Sequence, residues 1–190
     1  MKKDKQRVIF LKGKKTILRP ARKEADLENA LRWMNDPEVR QFLNRYLPLD
    51  YLEEERYFDS ITKKPNDLHL AIETLEGVCI GFMGLHNIRW NDRRASTGAV
   101  IGEKKYWGRG FGTDAKMALL KYAFHTLNLR KIDSSVIAFN ERSLKYSLKC
   151  GYKIEGRRRE QFYVDDKYWD EVLLTVFRED WEKVWKKYQR

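Results

Sequence analysis

Trp107-Gly108-Arg109-Gly110-Phe111-Gly112-Thr113-Asp114-Ala115 sets three glycines at alternate positions. An apolar run from Thr97 to Ile101 precedes them, and a strongly helical segment follows from about Gly112. With no Cβ in the way, such a backbone turns tightly and comes close to a ligand. A turn of this kind opening a helix aims several unpaired N–H groups at one point, and the helix dipole adds positive potential there. The stretch therefore predicts an anion site suited to a phosphate or pyrophosphate, and with it a phosphorylated cofactor.

The composition supports a folded carrier for that loop. With 190 residues, 42% hydrophobic and 13% aromatic, the chain can bury one full-sized core and is too apolar to be disordered. No run approaches the ~18 apolar residues of a membrane span, so no membrane partner is expected. The basic start, Met1 to Arg7, is not followed by a signal-type apolar core. Cys79 and Cys150 stand far apart in apolar contexts and read as reduced core residues, which suits the cytoplasm.

The net charge of +11, from 39 basic and 28 acidic residues, gives a surface that attracts anions. The basic residues run from end to end, without an Arg-rich arm, zinc-finger spacing or RNA-recognition signature. Charge alone therefore does not argue for a nucleic-acid partner. No metal is expected.

Periodicity and turn residues predict the order of elements. A strand at 16–19 stops at Pro20, and a helix opens near Asp26 with Leu27, Ala30, Leu31 and Met34 on one face. Asp36-Pro37 starts a second helical piece carrying Val39 and Phe42, and Tyr51 to Thr62 forms a third. Strands follow at Leu68–Thr74, Val78–Ile88 and Ala95–Ile101, then the glycine loop and a helix from about Thr113 to Leu127. Lys131–Phe139 reads as a buried strand and Glu141–Lys149 as a helix stopped by Gly151. Tyr152–Tyr163 and Lys167–Val176 make a hairpin about Asp165-Asp166, and Arg178–Tyr188 is a terminal helix. Its stripe of Trp181, Val184, Trp185 and Tyr188 packs on the chain's own core or, if exposed, marks a homodimer contact. The expected architecture is one mixed α/β (α+β) domain over residues 16–190, behind a basic segment at 1–15.

This succession resembles the GNAT superfamily of acetyl-CoA-dependent N-acetyltransferases. Ile101-Gly102-Glu103-Lys104 followed by Tyr106 to Ala115 looks like the loop of its ribosomal-protein N-terminal acetyltransferase branch, to which spermidine acetyltransferases are close. So do Leu127 to Ile132, Asn140-Glu141-Arg142-Ser143, Cys150-Gly151-Tyr152, Ile154-Glu155-Gly156, Tyr163 to Glu171 and Arg178 to Trp181. The resemblance runs from about Ile17 to Trp181. It departs at Trp107, where the superfamily usually has Gln or Arg, although backbone N–H groups do most of the binding there.

The resemblance implies a mixed, mostly antiparallel sheet flanked by helices and splayed between its fourth and fifth strands. The pantetheine arm of acetyl-CoA would lie in that gap against Val100, Ile101 and Gly102. The loop Trp107, Gly108, Arg109, Gly110, Phe111, Gly112 and Thr113 would hold the pyrophosphate, with N–H groups from Arg109 onward and the Thr113 hydroxyl. Asn140 would bond the pantetheine, although an Asn there also suits a helix N-cap. Ser143 and Ser147 share one helix face, and Ser147 stands where many members carry a tyrosine that protonates the leaving thiolate. Ser143 is the first choice for that acid, with Ser147, Tyr146 or a water behind it. Tyr146 is rotated ~100° from Ser147 and expected to point away from the cleft.

An attacking amine must lose a proton to a base, often through water. Glu160 is the first candidate, Glu103 and His86 are weaker ones, and Glu160 also reads as a surface residue paired with Arg157, Arg158 or Arg159. The N–H of Ile101 or Gly102 would meet the oxyanion. On the acceptor side, Asp36, Glu38, Glu53, Glu54, Glu55, Asp165 and Asp166 are interleaved with aromatics. That suits a cationic amine: a protein N-terminus first, otherwise a polyamine or aminoglycoside. The alternative of another class is an idle module binding acetyl-CoA or a ribosome-associated factor.

Overall fold

The computed structural model describes residues 8–43, 45–61 and 63–190. Met1 to Arg7 of the basic segment, and Thr62 at the expected end of a helix, lie outside them. Strands β1 (Leu11–Lys12), β2 (Thr16–Pro20), β3 (Leu68–Thr74), β4 (Cys79–Arg89), β5 (Arg94–Ile101), β6 (Lys131–Ile137), β7 (Lys153–Val164) and β8 (Lys167–Phe177) form one sheet. Their order is β1-β2-β3-β4-β5-β6-β8-β7. Every neighbouring pair is antiparallel except β5 and β6.

That parallel pair decides where a ligand fits. β5 and β6 are in register only at Arg94–Lys131, Ala95–Ile132 and Ser96–Asp133. Beyond Ser96 they part, and this is the gap expected between the fourth and fifth strands. Their numbers move up by one because Leu11–Lys12 pairs with β2. Residues 11–12 thus belong to the sheet edge, so the ordered sheet begins ahead of the expected boundary at 16. Between β4 and β5 the register shifts from His86 to Arg89, where Asn87 takes φ 52°. β2 stops at Pro20, as expected, but includes it as its last residue, opposite Leu70, a strand position where a missing N–H is tolerated.

Helices α1 (Lys23–Asn35), α2 (Pro37–Arg40), α3 (Tyr51–Ile61), α4 (Phe111–Lys121), α5 (Glu141–Lys149) and α6 (Arg178–Gln189) flank the sheet. Adjacent residues of β4 feed two cores, as alternation in a strand requires. Met83 joins the larger core with Leu119, Leu120 and Phe124, whereas Phe82 packs on the smaller one of Leu27, Ala30, Phe58 and Ile61. α4 starts at Phe111, two residues before Thr113, and continues past Lys121 as a π turn, Tyr122–Thr126. The stripe on α6 packs inward: Trp181 is fully buried, 5.3 Å from Phe124 and stacked on Trp185 at 5.2 Å. No helix among the described residues is long and apolar enough to cross a membrane.

Candidate active site

Where β5 and β6 separate, a cleft of about 810 Å³ opens. Thr97 to Ile101 form one wall, Ser134 to Ile137 the other, and the glycine loop and α5 close the far end. Antiparallel ladders direct alternate residues to opposite sides. Gly102 N–H donates to Ile80 C=O at 2.9 Å, so the polar groups of Val100 and Gly98 also point to β4. Those of Ala99 and Ile101 point into the gap. The Ile101 carbonyl is already taken by Trp107 Nε1 at 2.6 Å, which leaves the N–H groups of Ala99 and Ile101 for a ligand.

The glycine loop ends as a helix N-terminus. Gly108 and Gly110 take φ 72° and 86°, a left-handed conformation that a side chain disfavours. The first helical bond of α4 runs from Asp114 N–H to Gly110 C=O at 3.0 Å. The N–H groups of Phe111, Gly112 and Thr113 precede it and have no partner within the helix. Lys15 Nζ donates to Arg109 C=O at 3.1 Å and brings a cation to the loop. The site therefore offers a cluster of N–H donors, a helix dipole and a lysine to one anion, beside a slot with free strand N–H groups.

A family model described as an acetyltransferase (GNAT) domain matches residues 15–153. The chain belongs to the GNAT acetyltransferase family. Among its relatives, YdaF of Bacillus subtilis (strain 168), a ribosomal N-acetyltransferase by name, is 31% identical over 107 residues, 56% of this chain and 58% of its own length. The spermidine N(1)-acetyltransferase of Escherichia coli (strain K12) is 25% identical over 161 residues, 85% of either chain. The spermidine N-acetyltransferase of Vibrio cholerae, solved in complex with CoA and spermine, shares the fold. Its TM-score is 0.81 with 22% identity, over 88% of this chain and 98% of that one. This GNAT acetyltransferase is an acyltransferase with acetyl-CoA as donor.

Several residues expected at the GNAT site line the cleft: Val100, Ile101, Trp107, Gly108, Gly110, Phe111, Gly112, Thr113, Asn140 and Ser143. Asn140 also caps α5, accepting Ser143 N–H at 3.0 Å. Arg109 does not line it, because its guanidinium folds back over Tyr106 and Phe111, 5.7 and 6.0 Å from the ring centres. Gly102 is buried outside the cleft with its N–H committed to β4, and a Cβ there would lie 2.0 Å from Trp33. It serves close packing of α1, and its N–H, bonded to Ile80, is not available to an oxyanion.

On α5, Ser143 lines the cleft, but the expected places of Ser147 and Tyr146 are exchanged. Ser147 is 1% exposed and does not line the cleft, whereas Tyr146 does, together with Ser143 and Lys149. The helix presents the 143–146–149 face to the gap, about 100° from the one anticipated. Burial pushes the Tyr146 hydroxyl above its ordinary range. Glu160 sits exposed on a bulge of β7, between the pairs Arg158–Glu171 and Phe162–Trp169, with φ 51°. Its N–H donates to Asp170 Oδ1 at 3.1 Å. The bulge turns it outward, and Phe162 is the β7 residue lining the cleft.

The weaker base candidates are also occupied. Glu103 is bonded by Arg32 and Trp33 Nε1, and the Arg32 hydrogen bond is the main reason its carboxyl is held below the usual range. His86 lies beside His69 of β3 and Asp67 just ahead of that strand, its Nδ1 3.9 Å from Asp67 Oδ2, and burial pushes its pKa down. Sequence reasoning missed Arg142, whose guanidinium lies 3.7 Å from the centre of the Trp107 ring at the cleft. It also missed Thr97 and the lysine beneath it. An apolar helix stripe with one Lys in it gives no signal that the Lys faces inward.

Proposed function

We propose that this acetyltransferase acts on the primary amine at the N-terminus of a polypeptide. The observation that supports this reading is the charge of the cleft. Its lining includes Arg142, Lys145 and Lys149 but a single carboxylate, Glu141, which Lys145 holds at 2.7 Å. On the surrounding helices, Asp36 and Glu38 share Lys104 at 2.9 and 2.6 Å, Glu53 pairs with Arg45 and Glu55 with Lys23. A polyamine, with several cations and no other polar groups, is best held by uncompensated carboxylates. A peptide terminus brings one cation and a backbone, which suits the apolar wall of Val39, Phe42, Leu43 and Phe162.

In this reading the N–H groups of Phe111 to Thr113 and Lys15 hold the pyrophosphate, and the pantetheine arm lies along Ala99 and Ile101. Asn140 and Ser143 bond it from α5. The ammonium gives a proton to water, since the cleft has no free carboxylate to take it, and the neutral amine attacks the thioester carbonyl. An N–H of Ala99 or Ile101 meets the oxyanion in a dry slot, where a fixed donor is most effective. Position supplies much of the remaining acceleration.

The polyamine reading keeps one specific support, the spermidine acetyltransferase whose match covers 85% of this chain. Thiol release from acetyl-CoA separates the two. Peptides with free N-termini are expected to give kcat/KM at least about tenfold above spermidine or an aminoglycoside, a margin of ~1.4 kcal/mol. A preference for spermidine would overturn the peptide assignment, and no turnover with any amine would point to a binding module.

A further inference from the structure

Among the described residues Lys116 is the one buried lysine, on α4 directly beneath the fork of β5 and β6, and it is 0% exposed. Its Nζ donates to Thr97 Oγ1 at 2.7 Å and lies 5.4 and 5.3 Å from the ring centres of Tyr146 and Tyr152. No carboxylate pairs with it among the described residues. Taking an ammonium out of water without a counter-ion costs several kcal/mol, and a methionine of similar length would fill the space without that cost. Residues kept at such expense cluster at functional sites.

The hydroxyl above it is arranged to pass a proton on. Thr97 lines the cleft, and its hydroxyl oxygen accepts from Lys116 Nζ and lies 3.0 Å from the Tyr152 hydroxyl, a contact in which either group can donate. With Tyr152 as the donor, the Thr97 proton has only the Asp133 carbonyl, 3.5 Å away, a contact at the limit of a hydrogen bond. A stronger acceptor entering the fork captures that proton. Thiolate leaving groups need such a donor, and here the tyrosine that other GNAT enzymes place on α5 is replaced by the buried Ser147.

We propose that Lys116 is the proton source for the departing CoA thiolate, acting through the hydroxyl of Thr97. As the C–S bond breaks and its electron pair moves to sulfur, the Thr97 proton transfers to sulfur and a Lys116 proton replaces it on Oγ1. Lys116 is left as a neutral amine and regains a proton from solvent, into which the acceptor ammonium has released its own. Burial pushes the Lys116 ammonium down to about 8, near the working pH, where a general acid is most effective. The groups facing it stay neutral there: burial raises Tyr146 and Tyr152, pushes Cys150 up to about 12, and lowers His86 across the sheet.

The proposal rests on acetyl-CoA as donor and not on the choice of acceptor, so it is tested with whichever amine gives the highest turnover. Lys116→Met is expected to lower kcat about 100-fold, with acetyl-CoA affinity within threefold of the parent (~0.65 kcal/mol) and a melting temperature no lower. The basic limb of the kcat–pH profile near the Lys116 pKa disappears in that variant. Thr97→Val shows the same loss and keeps the test available should Lys116→Met fail to fold. A readout without turnover is the thiolate absorbance of bound CoA. Its thiol titrates at lower pH than free CoA in the parent, and returns toward the free value in Lys116→Met. Unchanged kcat and an unchanged thiol titration would overturn the proposal. A large loss in Ser143→Ala with none in Thr97→Val would move the role to α5.

Discussion

The carboxylate of Asp114 accepts the hydroxyl of Thr16 at 2.6 Å, across 98 residues of sequence. It also accepts the N–H groups of Lys14, Lys15 and Thr16 at 2.7, 3.0 and 2.9 Å, and the hydroxyl of Tyr188. One buried side chain thus ties the β1–β2 hairpin and α6 to the first turn of α4, next to the N–H groups that face the anion site. Gly13 makes room for it, since a Cβ there would lie 2.1 Å from Asp114 Oδ2.

Asp114→Asn is therefore expected to destabilise the fold by about 2–3 kcal/mol, because charge-assisted bonds are lost and an amide N–H₂ meets donors. Urea unfolding measures it. Burial alone would raise the Asp114 pKa, but the bonds from Thr16, Tyr188 and the backbone outweigh it and the value is lowered. A lowered folded pKa stabilises fully above the unfolded carboxylate range, and that contribution is lost as pH falls through the folded value. The deficit of Asp114→Asn should accordingly shrink in acid. A pH-independent deficit would show that the charge of Asp114 contributes nothing.

Gly110→Asp is expected to weaken acetyl-CoA binding at least about 30-fold (~2 kcal/mol). In the proposed donor site a carboxylate at this position would face the pyrophosphate, and φ 86° lies in the left-handed region that side chains disfavour. Gly110→Ala carries the strain without the charge and should lose less. Calorimetry on both variants, with circular dichroism to confirm folding, separates the two effects. Unchanged affinity in Gly110→Asp would remove the loop from the donor site.

The loop was legible because glycines, a helix start and a preceding apolar strand are local signals. The gap between β5 and β6 was legible only through the resemblance, since nothing in Thr97–Ile101 says where pairing stops. What misled the reading was rotation about an axis. Ser143 and Ser147 do share a helix face, but α5 turns its 143–146–149 edge to the cleft and buries Ser147. A bulge did the same on β7, where alternation fails between Arg158 and Phe162 and Glu160 swings outward. Gly102 read as a ligand contact, although its missing side chain serves Trp33.

Glu160→Gln is expected to leave kcat and its pH profile unchanged, since the side chain is exposed on the outer bulge of β7. A loss of the acidic limb in this variant would mean that the hairpin closes over the cleft when both substrates bind.

Arg19 is 2% exposed and grips Asp26 with both terminal nitrogens at 2.8 and 2.7 Å, while its Nε meets Glu73 at 2.5 Å. Arg19→Met removes the cation that the buried Asp26 and Glu73 share and should cost about 3–5 kcal/mol, as breaking one side of a buried ionic network does. Thermal unfolding of the variant against its parent checks this. A drop of under about 1 kcal/mol would mean that water reaches Asp26 and Glu73 once the guanidinium is gone.

Arg142→Ala tests a cation at the cleft that has no ion-pair partner among the described residues. Its guanidinium lies over Trp107 at 3.7 Å and Phe42 at 5.3 Å, without a carboxylate partner among the described residues. Desolvation lowers its pKa from the usual arginine value, yet an arginine stays charged throughout the working range. Stacking holds the cation beside the glycine loop, where in the proposed donor site the phosphates of acetyl-CoA would pass. The expected outcome is an acetyl-CoA Kd raised about tenfold (~1.4 kcal/mol), less so in high salt, with kcat little changed. Arg142→Lys should recover only part of this, because an ammonium does not stack as a planar guanidinium does. A raised KM for the amine at constant acetyl-CoA affinity would place Arg142 on the acceptor side instead, where it would repel cationic acceptors and favour peptides that carry an acidic residue.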